Sequence, residues 1–70
     1  MKGIITRVIH VKGFGFLRDE DGCERFLHVG DLVDESLWPS LRIHQWLEFE
    51  PTVRLKGGGN RLGVAKVNIV

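Results

Sequence analysis

Cysteine is almost absent from this 70-residue chain, which contains Cys23 alone. A single cysteine cannot form an internal disulfide or a thiolate-rich zinc site, and such usage is typical of a reducing compartment. The chain also lacks any apolar run near the roughly 20 residues of a membrane span, and its opening, MKGIITRVIHVKG, has no run long enough for a signal peptide. We therefore expect a cytoplasmic protein without membrane attachment.

An excess of charge is also missing. Ten Lys and Arg stand against nine Asp and Glu, for a formal net charge of +1, so the overall balance gives no indication of a polyanionic partner. Any basic surface has to come from placement in the fold. The acids cluster in residues 19–24 and 31–35, whereas several cations have no acidic neighbours in sequence: Lys12, Arg54, Lys56 and Arg61.

The motifs of common enzymes are missing too. The GFG at residues 13–15 lacks the third glycine and the following helix of a dinucleotide site, and no Walker-type G-K-[ST] occurs. The acidic residues 19–21 fall on an expected hairpin turn, where solvated carboxylates are the norm. His10, His28 and His44 have no ligand spacing. We expect no catalytic site, metal, cofactor or small-molecule substrate.

The pattern of apolar residues indicates one all-β domain spanning residues 1–70. Helical periodicity is scarce, and β-branched and aromatic residues recur in short runs separated by Gly, Asp, Pro and Asn. Five strands are predicted, at about residues 3–10, 15–19, 24–29, 46–54 and 61–69.

The connections between these strands narrow the fold. Asp21-Gly22 predicts a tight hairpin between strands two and three, and KGGGN predicts a mobile loop between strands four and five. The segment between strands three and four is long, with room for a helical turn before Pro39. Five antiparallel strands with one long connection predict an OB-fold barrel, with an SH3-like barrel as the alternative.

Strand parity bears on whether the phenylalanines are core or surface. Side chains alternate along a strand, so Phe14 and Phe16 share one face, as do Phe26 and His28. Pattern alone leaves both orientations open. The outward orientation is physically cleaner, because it buries no imidazole and points the remaining residues of the hairpin inward: Gly15, Leu17, Leu27 and Val29.

Outward aromatics of this kind suit single-stranded nucleic acid. Flat rings stack on bases, and Lys12 beside them supplies a cation for phosphate.

The role of Trp46 is left open by the pattern. Alternation places Trp46 outward and Leu47 and Phe49 inward, so the indole either covers a barrel edge or contacts a partner such as a second copy of the chain.

These residues resemble a known pattern, that of the cold-shock domain family. The stretch KGFGF at residues 12–16 matches the family's first ribonucleoprotein motif, and RFLH at residues 25–28 looks like the second. The intervening DG turn agrees, as do the opening GII, a GDL segment and the closing AKV, although the C-terminal half matches only loosely.

The resemblance implies an OB barrel that binds single-stranded RNA or DNA across the outer face of strands one to three. By matched position, the binding residues would be Lys12, Phe14, Phe16, Phe26 and His28. Trp38 falls where the family often carries a base-stacking loop phenylalanine, and Lys56 and Arg61 flank the glycine loop beside the groove. Strand one departs from the family: it reads Thr6-Arg7-Val8 where K-W-F is typical, so Arg7 would replace a stacking aromatic and binding would be weaker.

Two functions follow as hypotheses. The first is an ATP-independent RNA chaperone or expression regulator, mainly monomeric, that favours RNA but also accepts single-stranded DNA. The second is a protein-interaction or homodimerisation module that uses the same aromatic patch.

Overall fold

The computed structural model describes residues 1–56 and 59–70, and within residues 54–61 only the strand assignments. Five strands occur: β1 (Lys2–Ile9), β2 (Phe14–Asp19), β3 (Glu24–His28), β4 (Trp46–Lys56) and β5 (Gly59–Ile69). Short 3₁₀ helices occupy His10–Lys12, Val29–Asp31 and Glu35–Ser40. All five predicted strands are confirmed, and the helical turn includes Pro39. Gly57 and Gly58 of the predicted mobile loop lie outside the described residues.

The strands form one antiparallel sheet in the order β3-β2-β1-β4-β5. The all-β class, the five antiparallel strands and the long connection between β3 and β4 are therefore confirmed. Between β3 and β5, the described backbone forms no ladder, and the sheet is not closed into a barrel. The predicted barrel closure is thus not seen.

Side-chain and loop contacts nevertheless link β3, at one edge of the sheet, to β4 and β5 at the other. Nη1 of Arg25, in β3, donates to the carbonyl oxygen of Gly63 in β5 at 2.9 Å and to that of Thr52 in β4 at 3.2 Å. Just beyond β3, Leu32 forms an isolated parallel bridge with Val67 of β5. The sheet therefore curls around its apolar face.

The concave face of the curled sheet forms the hydrophobic core. Alternating residues of the strands point into it, and the connection between β3 and β4 covers it with Leu32, Trp38 and Leu41. Burying one such apolar side chain contributes roughly 1.5–3 kcal/mol. The fully buried large side chains are Ile5, Leu17, Leu27, Leu41, Leu47, Val64 and Val67.

The hairpin between β2 and β3 turns at Asp21-Gly22 as predicted. Gly22 has a φ of 83°, in the left-handed region that favours glycine. Oδ1 of Asp19 accepts hydrogen bonds from the backbone N–H groups of Asp21 at 2.9 Å and Cys23 at 3.0 Å. The side chain of Asp19 thus holds the turn from inside.

The expectation that all three acids of this turn are solvated is wrong for Asp19. Its side chain is 1% exposed and pairs with Arg25, whose Nε lies 2.7 Å from Oδ2. Parity explains the burial, because Asp19 and Arg25 follow the same inward alternation as Leu17 and Leu27. Burial raises the pKa of Asp19, but the hydrogen bonds from Arg25, Cys23 and Asp21 outweigh it, together with the Arg25 charge, and leave the pKa below its ordinary 3.8.

The described part of the chain contains no helix that is long and apolar enough to cross a membrane.

Candidate nucleic-acid interface

Three phenylalanine rings lie together on the convex face of the sheet. Phe14 and Phe26 stack at 25° with their centroids 5.8 Å apart, and Phe16 meets each of them edge-on, at 6.2 Å from Phe14 and 5.8 Å from Phe26. All three are half-buried. We call them the phenylalanine platform, and the face that carries them the outer face.

The register of the hairpin produces this platform. Phe16 is the cross-strand partner of Phe26, and Phe14 is the partner of His28. Leu17 and Leu27 point the other way and are fully buried. Of the two orientations that the sequence leaves open, the outward one is therefore confirmed.

Gly15 makes this close packing of β1 and β2 possible. It is buried between Phe14 and Phe16, and a methyl group in its place would overlap the carbonyl oxygen of Arg7 in β1. The β1 strand has an irregularity between Ile5 and Arg7, which brings Arg7 opposite Phe16. The glycine and the irregularity together set the backbone register that places Arg7 directly opposite Phe16.

His28 extends the platform at the edge strand. The imidazole is exposed, and its Nδ1 accepts a hydrogen bond from the backbone N–H of Gly30 at 3.0 Å. The neutral ring therefore carries its proton on Nε2, which is left available to a ligand. The backbone N–H of His28 donates to Oδ2 of Asp31 at 2.9 Å, so the end of β3 is held in place.

Two exposed arginines flank Phe16 on the outer face. Arg7 is its cross-strand partner in β1, and Arg18 follows it by two residues in β2. Neither side chain has a hydrogen bond or ion pair with any other described residue. Lys12 is exposed in the 3₁₀ helix that joins β1 to β2. A chain of net charge +1 thus carries a local group of cations beside the rings.

Sequence reasoning missed Arg18, although a signal for it existed. The alternation that places Phe14 and Phe16 outward places Arg18 outward as well. Glu24, the cross-strand partner of Arg18, is also exposed, so this end of the outer face carries one charge of each sign.

Trp38 does not offer a stacking surface, and the expectation that it does is wrong. The residue is 6% exposed and belongs to the hydrophobic core. Its indole N–H donates to the carbonyl oxygen of His10 at 3.1 Å, and the His10 ring meets the indole edge-on at 5.9 Å. A small core gains more from burying the indole than from exposing it, since a large aromatic contributes much apolar area.

The other two cations named from the sequence are Lys56 and Arg61. Both lie in strands whose backbone pairing is described, with Lys56 opposite Gly59 and Arg61 opposite Arg54. Their side chains lie outside the described residues, so their role stays a prediction.

Among the described residues, no group of three or more His, Cys, Asp or Glu side chains is placed to hold a metal ion. The outer face instead combines aromatic rings with guanidinium groups, which can stack on bases and pair with phosphates.

No protein-family model matches the chain, and no curated protein matches it.

Proposed function

We propose that this protein binds single-stranded nucleic acid, RNA in preference to DNA, on the outer face of β1, β2 and β3. The observation that carries the proposal is the phenylalanine platform, three rings in mutual contact on the convex face of the sheet, with Arg7 and Arg18 beside Phe16 and free of ion pairs with the described residues.

The rings supply the larger part of the binding free energy. A base stacked on an aromatic side chain contributes about 1–3 kcal/mol and is accepted with little regard to sequence. Exposing apolar rings to water is unfavourable, and contiguous exposed patches commonly mark binding sites. The inner residues Leu17 and Leu27 already fill the core, so the outward rings are not required there.

The cations give the site its selectivity for a polyanion. Arg7, Lys12 and Arg18 surround the platform, and each neutralised phosphate releases counterions, which favours binding at low salt. His28 adds a hydrogen-bond donor on Nε2. A guanidinium opposite Phe16 can also stack on a base, which suits Arg7 to the strand-one position that the family resemblance leaves without an aromatic.

The architecture supports an OB-type assignment for this fold. Five antiparallel strands curl around one core, and Arg25 links the edge strand β3 to β4 and β5. The KGFGF stretch that resembles the cold-shock pattern runs from the end of the 3₁₀ helix into β2, and the RFLH stretch lies on β3, with the aromatics of both outward. In our proposal the curled sheet binds nucleic acid on the same surface that a closed OB barrel would use.

The proposed activity needs no nucleotide hydrolysis. A protein that binds only the open strand shifts a hairpin toward its melted state by mass action. We therefore propose an ATP-independent RNA chaperone or expression regulator that acts in the cytoplasm.

Titration with oligouridine tests the proposal. The wild type should bind, log K should fall against log salt with a slope of about −0.7 for each neutralised phosphate, and Phe14→Ala and Phe26→Ala should each weaken binding. Ile43→Ala is the matched control, because Ile43 is exposed in the connection before β4, outside the outer face. Absence of binding by the folded wild type at low salt would overturn the proposal.

The alternative is a protein-interaction or homodimerisation module. It is favoured by the same phenylalanine platform, whose three half-buried rings form a contiguous apolar patch that a protein surface or a second copy of the chain could cover. Sedimentation at increasing protein concentration distinguishes the two functions: a dimer whose formation depends on Phe14 and Phe26, without oligonucleotide binding, would favour the alternative.

A further inference from the structure

Trp46 lies on the same face as the phenylalanine platform. It is the first residue of β4 and the cross-strand partner of Ile4 in β1, and Ile4 is in turn the partner of Arg18 in β2. Directly opposed residues of an antiparallel sheet project to the same side. Ile4, Arg18 and Trp46 therefore form a row across the outer face, adjacent to the row of Phe26, Phe16 and Arg7.

The fold does not bury this indole. Trp46 is 51% exposed, whereas Leu47 and Phe49 of the same strand are 0% and 3% exposed and complete the inner face. No described residue accepts a hydrogen bond from the indole N–H. In this respect Trp46 is the opposite of Trp38, whose indole N–H and ring are both engaged.

The spacing of the rings fits a nucleic-acid strand that continues past the phenylalanine platform. Trp46 is two strands and two residues away from Phe16, which corresponds to about 12 Å between their Cα atoms at ordinary sheet spacings. Arg18 lies two residues from Phe16 along β2 and two strands from Trp46, and it has no hydrogen bond or ion pair with any described side chain. Phe16 and Trp46 thus provide two rings on the outer face, and the guanidinium of Arg18 lies in the same row as Trp46 and next to Phe16 along β2.

We propose that Trp46 is a further base-stacking residue. Arg18 then contacts a phosphate of the nucleic-acid segment that runs between Phe16 and Trp46. The binding site then extends from β1, β2 and β3 onto β4. This inference rests on the proposed function and adds one base position to it. Glu48 follows Trp46 on the same face and is exposed, and its cross-strand partner in β1 is the exposed Lys2.

The two tryptophans provide a direct measurement. Trp38 is buried, so quenching of the exposed Trp46 emission reports stacking at the proposed position. Oligouridines of increasing length, from about 4 to about 16 nucleotides, cover the site sizes of such domains. We expect the shortest to bind with little quenching and the longer ones to quench Trp46. Trp38→Phe, which leaves Trp46 as the only indole, should give the same result if it folds.

The affinity of Trp46 variants for oligouridine distinguishes a stacked indole from one that only lies near the bound strand. Trp46→Ala should weaken binding of the long oligouridine by roughly 5- to 100-fold, leave the shortest unaffected, and be largely rescued in Trp46→Phe. Arg18→Gln should reduce the salt slope for the long oligouridine by about 0.7. Val53→Ala is the control, since Val53 is an exposed β4 residue that pairs with Leu62 of β5, away from β1 and β2.

The outcomes distinguish this inference from the function on which it rests. If oligouridine binds in a Phe16-dependent way but Trp46→Ala leaves the affinity at every length unchanged, Trp46 is not in the site and the inference is overturned, while the proposed function stands. If Trp46→Ala changes only the sedimentation of the protein, the indole is a contact between copies and the inference is likewise overturned. If no oligouridine binds the wild type, both proposals fail.

Discussion

Arg25 and Asp19 form a buried ion pair, with Nε of the guanidinium 2.7 Å from Oδ2 of the carboxylate. The pair joins two functions of the fold. Asp19 accepts the backbone N–H groups that shape the β2–β3 turn, and Arg25 reaches the carbonyl oxygens of Thr52 and Gly63 on the far side of the sheet. Because Arg25 directly precedes Phe26, the contact that curls the sheet also fixes one strand of the platform.

Asp19→Asn should therefore destabilise the protein strongly. The substitution leaves the buried guanidinium without its counter-charge, and breaking a buried pair in this way costs about 3–5 kcal/mol. Urea unfolding followed by tryptophan fluorescence measures the loss. Asp21→Asn, at an exposed position of the same turn, should change stability by no more than about 0.5 kcal/mol. Equal stability of the two variants would show that the pair does not hold the fold.

The same pair predicts how stability responds to acid. Hydrogen bonds and the Arg25 charge hold the pKa of Asp19 below its ordinary value in the folded state. The unfolded chain then binds the proton more readily, so the stabilisation is fully present above about pH 4, the unfolded pKa, and is lost as pH falls through the folded pKa. Unfolding free energies measured between neutral and acidic pH should fall less steeply in Asp19→Asn than in the wild type. An equal dependence of the unfolding free energy on pH in the two proteins would contradict a lowered pKa of Asp19.

Gly15→Ala tests the close approach of β1 and β2. The added methyl would overlap the carbonyl oxygen of Arg7, and backbone cannot move aside as a flexible side chain can. We expect a loss of about 1–3 kcal/mol, the usual cost of overpacking, together with weaker oligonucleotide binding. Gly22→Asn is the control, because open space surrounds Gly22 and asparagine tolerates its positive φ. Full stability of Gly15→Ala would mean that the strands can separate without cost.

Local patterns in the sequence predicted the strands correctly and limited the phenylalanines to two orientations, of which the structure shows the outward one. The β2–β3 turn depends on Asp21 and Gly22, and the orientation of Phe14, Phe16 and Phe26 depends on alternation along short strands. Each of these relationships involves residues close in the chain. The inward positions of Leu17 and Leu27 follow from the same alternation.

The features that could not be predicted depend on contacts between distant residues. The indole N–H of Trp38 meets the carbonyl of His10, 28 residues away, and the Arg25 guanidinium meets Gly63, 38 residues away. Nothing in the residues next to Trp38 distinguishes a covering indole from a stacking one. The burial of Asp19 could not be predicted, because its neighbours Glu20 and Asp21 are exposed turn residues and the sequence does not distinguish the three acids.

Arg7 offers the sharpest test of how the outer face recognises its ligand, because its guanidinium can act through charge, through stacking, or through both. Arg7→Gln removes the charge, so the salt slope of oligouridine binding should fall by about 0.7, whereas Arg42→Gln, an exposed arginine in the connection before β4, should leave it unchanged. Arg7→Lys keeps the charge but lacks the planar group that stacks.

If Arg7 stacks on a base, Arg7→Lys will keep the wild-type salt slope and lose affinity at every salt concentration. If Arg7 acts through charge alone, Arg7→Lys will match the wild type in both measurements. An unchanged slope and affinity in Arg7→Gln would place the nucleic acid away from β1. The site would then be confined to the β2–β3 hairpin, even though Arg7 lies directly opposite Phe16.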